Sequence, residues 1–211
     1  MDFGRFTWNS AKLTVLVTLI QLLTCSFAAY GFTKCRFPGR DTLFLGYVAT
    51  IAIPWQIFML PQYLMMNKMH LVDSHLGYVL LSSFAAFGVF LLRQFFLGIP
   101  NELLEAARID GLSEYGIYFR IVLPLAKPAM ATLAIFTFVN VWNDFMGPMI
   151  YFNTESNKTV PLGIRMFVGQ YSTDYQLIMA ASVLSLIPVL VMYIFCQKYF
   201  VQGVATSGLK G

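Results

Sequence analysis

A chain of 211 residues that is 58% hydrophobic and 11% charged, with a mean hydropathy of +0.67, carries too little charge to cover the surface of a soluble domain. The net charge of +4 comes from Lys and Arg residues scattered at the ends of apolar stretches, not gathered on one face, which argues against nucleic acid as a partner. Cys25, Cys35 and Cys196 lack the CxxC or Cys/His spacing of a metal or redox centre and are expected to pack.

A bilayer core of about 30 Å needs roughly 20 apolar residues per helix. Windows at about 11–32, 43–65, 76–97, 128–150 and 176–199 meet that length, so residues 1–211 read as a single all-α membrane domain. The runs are continuous, whereas barrel strands alternate over about 10 residues. The first window outlasts a signal h-region and lacks a clear small-residue cleavage site, so it is expected to be a span. Pro54, Pro61 and Pro188 lie in or near the ends of spans, where a kink serves either static packing or a hinge. His70 and His75 flank Asp73 in the turn before the third span. Their i, i+5 spacing suits a metal poorly, and Asp73 or Ser74 is expected to cap the span. Arg93, near the end of that span, is expected to reach for the headgroups.

Residues 98–127 interrupt this apolar pattern. A helix starting at Pro100 or Asn101 places Leu103, Ala106, Ala107 and Asp110 on one face, kept shallow by the two alanines so that another protein can approach the backbone. Gly111 is suited to end that helix in the left-handed conformation, and Ser113 to cap a second. Pro124 and Pro128 disfavour continuous helix into the fourth span. The plainer alternative is a surface helix on which Glu105 pairs with Arg108, for about 0.2–0.5 kcal/mol.

In the fourth span Asn140, Asn143 and Asp144 surround Trp142. Such polar groups either line a solute route or bond to neighbouring helices. The loop from Tyr151 to Tyr175 is long and polar, a contact for another protein or a solvated connector. Asn157-Lys158-Thr159 also fits a glycosylation sequon, which is discounted. If 98–127 is cytoplasmic, so are 33–42 and the C-terminal tail. Lys34, Arg36, Arg40, Arg93, Arg108, Arg120, Lys127, Lys198 and Lys210 then lie inside, against Arg5, Lys12, Lys68, Lys158 and Arg165 outside, a 9 to 5 bias of the expected sign. Arg5 and Lys12 sit awkwardly outside, and a missing upstream helix would explain them.

Glu105-Ala106-Ala107, then Gly111, then Ile121, Leu123 and Pro124 at this spacing resemble the EAA signature of ABC importer permeases. Asn9-Ser10, the Ala28 to Phe37 stretch, Phe90-Leu91-Leu92-Arg93-Gln94-Phe95-Phe96, Trp142-Asn143-Asp144-Phe145 and the tail from Gln197 to Gly211 resemble the carbohydrate, maltose-type branch of these binding-protein-dependent permeases. The resemblance implies a type I importer transmembrane fold in a prokaryotic inner membrane, with about five transmembrane helices here where the branch usually has six. It also implies that Glu105, Ala106, Ala107, Asp110, Gly111, Ile121, Leu123 and Pro124 form cytoplasmic coupling helices, docked on a dimer of ABC ATPases. A second permease subunit, an extracytoplasmic solute-binding protein near the 151–175 loop, and lipid complete the expected partners. No G-x-x-x-x-G-K-[ST] string occurs, so ATP and Mg are expected on the ATPase and none on this chain. A permease for another solute class and a non-functional or structural fragment are the alternatives. An intramembrane hydrolase fits poorly, because no span pairs Ser with His or Asp with Asp.

Overall fold

The computed structural model describes residues 2–169 and 174–208. Lys210, with the end of the tail string, and residues 170–173 of the 151–175 loop lie outside the described residues, as do the side chains of Cys196 and Lys198.

Eleven helices follow one another among the described residues: α1 (Phe3–Lys34), α2 (Arg40–Ala49), α3 (Trp55–Lys68), α4 (His75–Ser82), α5 (Ala86–Leu97), α6 (Asn101–Ile109), α7 (Glu114–Leu125), α8 (Lys127–Trp142), α9 (Met146–Tyr151), α10 (Val160–Arg165) and α11 (Tyr175–Gly208). By length and composition, Phe3–Lys34 and Tyr175–Phe195 are each able to cross a membrane, and up to five crossings result if three broken helix pairs each count as one.

The breaks have local causes. Pro54 cannot extend the 3-10 turn Thr50–Ala52, and it forces Ile53 before it into an extended conformation (φ −89°, ψ 116°). A window expected to run unbroken from 43 to 65 is therefore two helices, with Pro61 held inside the second. Between α8 and α9, the Asn143 side chain donates to the Val139 carbonyl at 2.9 Å and Asp144 accepts from the Gly147 N–H at 3.1 Å. Short polar side chains here take over backbone partners and stop the helix. The window at 76–97 also breaks, at residues 83–85, where Ala85 is extended (φ −135°, ψ 115°).

The chain forms two compact units. The first contains α1 up to Ile20, α3, α4, the last part of α8, α9, α10 and α11 up to Phe195. Its core joins Leu13 and Val17 to Met66, Tyr78, Val79, Tyr151 and Phe152, with a second cluster of Phe6, Trp142 and Val160. Only 6% of the apolar window of α11 is buried, so this helix offers apolar surface nearly all round, as a lipid- or helix-facing segment does.

The second unit contains α1 from Gln21, α2, α5, α6, α7 and the first part of α8. One continuous core unites Cys25, Ala29 and Tyr30 of α1, Phe44 of α2, Val89, Leu92 and Phe96 of α5, Leu104 and Ala107 of α6, Ile117, Tyr118 and Val122 of α7, and Leu133 of α8. In this unit α7 gives way to α8 at Ala126 with a 78° change of direction.

Candidate functional site

Helix α6 divides its surface at the Ala106-Ala107 pair. Leu104 (1% exposed) and Ala107 (5%) face the unit's own core. Leu103, Glu105, Ala106 and Asp110 lie on the open side with Ile109, which is 87% exposed. The expected presenting face is thus corrected: Ala107 belongs to the inward face, because Leu104 one turn earlier sets the buried stripe and takes Ala107 with it.

Gly111 ends α6 as expected, with φ +83°. The Gly111 N–H donates to the Arg108 carbonyl and the Leu112 N–H to the Ala107 carbonyl, both at 3.0 Å, the paired bonds of a Schellman turn. Leu112 then folds back onto the core. Ser113 Oγ accepts from the Gly116 N–H at 3.2 Å and starts α7, on which Tyr115 (72%) and Phe119 (51%) stand exposed.

Arg108 does not pair with Glu105. The reversal at Gly111 brings Glu114 alongside, and Arg108 Nε–H donates to Glu114 Oε1 at 2.7 Å. Tyr30 of α1 donates its hydroxyl hydrogen to Glu114 Oε2 at 2.6 Å. Arg108, and then Tyr30, hold the Glu114 carboxyl below the usual carboxylate range. One turn on, the Tyr118 hydroxyl meets Ser26 Oγ at 2.6 Å and its ring stacks on Phe27 at 4.4 Å. Lys34 Nζ donates to the Ile99 carbonyl (2.7 Å) and Asn101 Oδ1 (2.9 Å), tying the end of α1 to the start of α6. The helical pair is therefore fastened to α1 by packing and by four polar contacts.

Pro124 does not stop α7. Residues Tyr118–Val122 open into a π-helical turn, with the Leu123 N–H reaching the Tyr118 carbonyl. The wider turn relieves the clash of the Pro124 ring with the carbonyl four residues back. Ile121 and Leu123 are half-buried against the core and Pro124 is exposed, so these two apolar positions anchor the pair while Pro124 remains open to contact.

Arg93 turns inward instead of reaching for headgroups. Its guanidinium lies 4.0 Å from the Phe44 ring centre and donates to Asp41 Oδ1 at 3.0 Å and to the Phe32 carbonyl at 3.3 Å. These three partners offer a planar cation more than solvent does.

In the other unit the polar island of the fourth span separates. Asn140 and Asn143 are exposed. Trp142 is 2% exposed, stacked on Phe138, and donates its indole N–H to the Ser185 carbonyl at 3.0 Å. Asp144 accepts from the Tyr78 hydroxyl at 2.7 Å. Trp142 and Asp144 thus serve helix packing within this unit, and the two amides are the open positions.

The 151–175 loop is more than a connector, since it contains α10 and is pinned at several points. Asn9 Nδ2 donates to the carbonyls of Ser156 (2.8 Å) and Lys158 (3.0 Å), and Ser10 Oγ accepts from the Val160 N–H at 2.9 Å. Asp73, in a left-handed conformation at φ 58°, accepts from the N–H groups of Asn153 (3.0 Å) and Thr154 (3.1 Å), from the Thr154 hydroxyl and from the Asn157 amide. Burial pushes the Asp73 carboxyl up, but these bonds outweigh it and hold it below the usual carboxylate range. Asp73 therefore clasps the loop and caps nothing, and Ser74, in the N-cap position of α4, makes no side-chain cap. The sequence had marked neither Tyr78 nor Ile109, and Tyr30 only as part of the Ala28 to Phe37 stretch. A clue to Asn9 and Ser10 lay in two polar residues at the edge of an apolar run.

Comparison with known proteins identifies the family. Residues 13–206 match the family described as "Binding-protein-dependent transport system inner membrane component". The arabinooligosaccharides transport system permease protein AraQ of Halalkalibacterium halodurans is 36% identical over 98% of this chain and 75% of its own length. The lactose transport system permease protein LacG of Rhizobium radiobacter is 31% identical over 98% and 76%. The sn-glycerol-3-phosphate transport system permease protein UgpE of Pectobacterium atrosepticum is 32% identical over 97% and 74%. Among solved structures, a bacterial ABC transporter involved in import of the acidic polysaccharide alginate superposes with a TM-score of 0.83 at 26% identity, covering 94% of this chain and 75% of that one. The MetNI methionine transporter shares the fold alone, with a TM-score of 0.68 at 15% identity. The architecture is that of a type I ABC importer transmembrane domain, and the chain belongs to the binding-protein-dependent transport system inner membrane component family.

Proposed function

We propose that this permease subunit moves a sugar or oligosaccharide inward by alternating access, coupled through α6 and α7 to ATP hydrolysis on a partner ATPase dimer. The observation that carries the coupling assignment is the helical pair itself: it presents Glu105, Ala106, Ile109, Asp110 and Tyr115 outward, while Ala107, Ile121 and Leu123 pack on the core shared with α1, α5 and α8. A displacement of such a pair is passed on to these helices, since packed interiors shift as units. ATP and Mg belong to the ATPase. Its differential affinity for the two states of the complex drives the transition.

On this reading α6 and α7 face the cytoplasm, as does the C-terminus, and the chain crosses the membrane five times. The pinned loop after α9 faces the extracytoplasmic solute-binding protein, and a second permease subunit completes the pathway. Asn140 and Asn143 are candidate path residues, while Trp142 and Asp144 support that face from behind. Arabinooligosaccharide, lactose and alginate in the names of similar proteins support a carbohydrate. UgpE at comparable identity favours a second reading, a phosphorylated polyol.

Purified permease complex in proteoliposomes tests the coupling. Glu105→Ala and Ile109→Asp are expected to lower ATPase retention or the solute moved per ATP hydrolysed, with membrane insertion unchanged. Normal uptake and normal ATPase retention in both variants would remove the docking assignment. Uptake of labelled lactose, arabinose oligomers and glycerol 3-phosphate separates the two solute readings.

A further inference from the structure

Three helices of the second unit and the connection between two of them bring four cations to one place. Lys34 at the end of α1, Arg36 in the connection after it, Arg40 at the start of α2 and Arg108 of α6 line a single cavity of about 530 Å³, together with Glu105 and Glu114. That volume lies within the roughly 300–1,000 Å³ of small-molecule sites. Arg36 and Arg40 also line a second recess of about 500 Å³.

The lining sets these four cations against two carboxylates, Glu105 and Glu114, and Glu102 lies near enough to Lys34 to act on its charge. Glu114 is engaged by Arg108 and Tyr30, and Arg40 shares Asp41 with Arg93. The acceptors of Lys34 are the neutral oxygens of Ile99 and Asn101. Arg36, exposed, forms no ion pair among the described residues. Exposed apolar residues lie nearby in the sequence: Phe37 is 40% exposed, and Leu43 and Leu45 on α2 are 60% and 67% exposed. Guanidinium groups grip phosphate oxygens in pairs, and an ammonium adds a point charge. Basic pockets beside apolar helix surface suit the headgroups of anionic lipids.

We propose that this cavity binds a phosphate group, of the kind carried by an anionic phospholipid headgroup or by free phosphate, with Arg36 and Lys34 as its principal donors. The exposed apolar residues after Arg36 are suited to the acyl chains when the source is a lipid. Arg108 and Glu105 border the cavity from α6, so an occupied site bears directly on that helix, and Glu105 belongs at once to the cavity and to the face proposed for docking. The site does not depend on the docking assignment.

The test uses the whole permease complex in nanodiscs of phosphatidylcholine doped with phosphatidylglycerol, with retained lipid counted by native mass spectrometry. Inorganic phosphate is titrated separately against the same complex. Arg36→Glu, in an exposed connection, is expected to lower occupancy by about tenfold or more, as expected for loss of a charge-assisted contact, and Arg36→Lys to keep most of it. Phosphatidylglycerol retention that resists inorganic phosphate identifies the lipid as the source, and saturable binding of inorganic phosphate that displaces the lipid identifies the free ion. The proposal is overturned if neither probe binds the wild-type complex or if Arg36→Glu binds both as the wild type does. It is equally overturned if Arg36→Glu sheds the ATPase while both probes bind unchanged, since the cavity then receives a protein carboxylate. Loss of ATPase in Glu105→Ala with probe binding intact would count against docking alone.

Discussion

Replacing Gly111 isolates one backbone angle. At φ +83° an added Cβ meets nothing within 4 Å, so Ala at this position introduces no clash and its cost is conformational. An L-residue in the left-handed region costs about 1–2 kcal/mol, which corresponds to roughly a 5- to 30-fold change in a local equilibrium. The Leu112 N–H, bonded to the Ala107 carbonyl at 3.0 Å, reports that equilibrium directly. Hydrogen exchange at Leu112 in Gly111→Ala is expected to accelerate about 5- to 30-fold. Gly111→Asn is expected to fall near the wild type, since Asn tolerates this region. Solute moved per ATP hydrolysed is expected to follow the same order: wild type, Asn, Ala. Equal exchange in all three proteins would refute the backbone argument. Altered exchange with unchanged coupling would leave the turn correct and refute its role in transmission.

Gly88 of α5 is the opposite case, because an added Cβ would lie 2.8 Å from Cys25 Sγ and 3.0 Å from Leu133 Cδ1. Helix propensity favours Ala by about 1 kcal/mol, but overpacking costs about 1–3 kcal/mol. Gly88→Ala is thus expected to destabilise the protein in detergent denaturation, and Cys25→Ala to restore most of the loss. Glu114 predicts a pH dependence: its carboxyl is depressed, so its contribution is present above the ordinary carboxylate pKa of about 4.3 and is lost as pH falls through the lower folded value. With both partners of the Arg108 pair partly exposed, the effect is worth at most about 1 kcal/mol. Exchange protection in α7 should fall on acidification of the wild type, and that response should vanish in Glu114→Gln. Asp73→Ala removes the acceptors for Asn153, Thr154 and Asn157 and leaves Ala in a left-handed conformation. Limited proteolysis should then cut within 153–158 faster than in the wild type, with Asp73→Asn intermediate.

What the sequence revealed depended on whether the cause was local. Gly111 and Ser113 were readable because a left-handed turn and a helix cap are decided by the residue and its immediate neighbours, whereas Pro54 was read only as a kink within one span and the structure has a full break there. The Glu105–Arg108 pair, weighed as the plainer alternative, does not form, because the choice between Glu105 and Glu114 depends on the chain reversal, which places a residue six positions away closer than one on the same helix. Tyr30, 84 positions from Glu114 along the chain, and Asp73, 84 from Asn157, are joined to their partners by tertiary packing that no local pattern encodes. Apolar periodicity likewise located the apolar windows but not the break at 83–85, where no proline or glycine punctuates the chain.

The alanine pair shows how a motif can be recognised before its parts are assigned. Both alanines were expected on the docking face, yet Ala107 faces the core at 5% exposure and Ala106 faces out. Smallness then has two separate reasons. At 107 it lets α6 lie against a core that already contains Leu104, Ile117 and Tyr118, where extra methylenes cost about 1–3 kcal/mol within this chain alone. At 106 the side chain is exposed among the described residues, so on the proposed docking the constraint comes from the partner surface, and a bulky residue there would be felt chiefly in the assembled transporter. On the proposed docking, the same tripeptide would join the two halves of coupling: Ala107 packs the helix against the core of its unit, and Ala106 leaves room for the subunit proposed to move it.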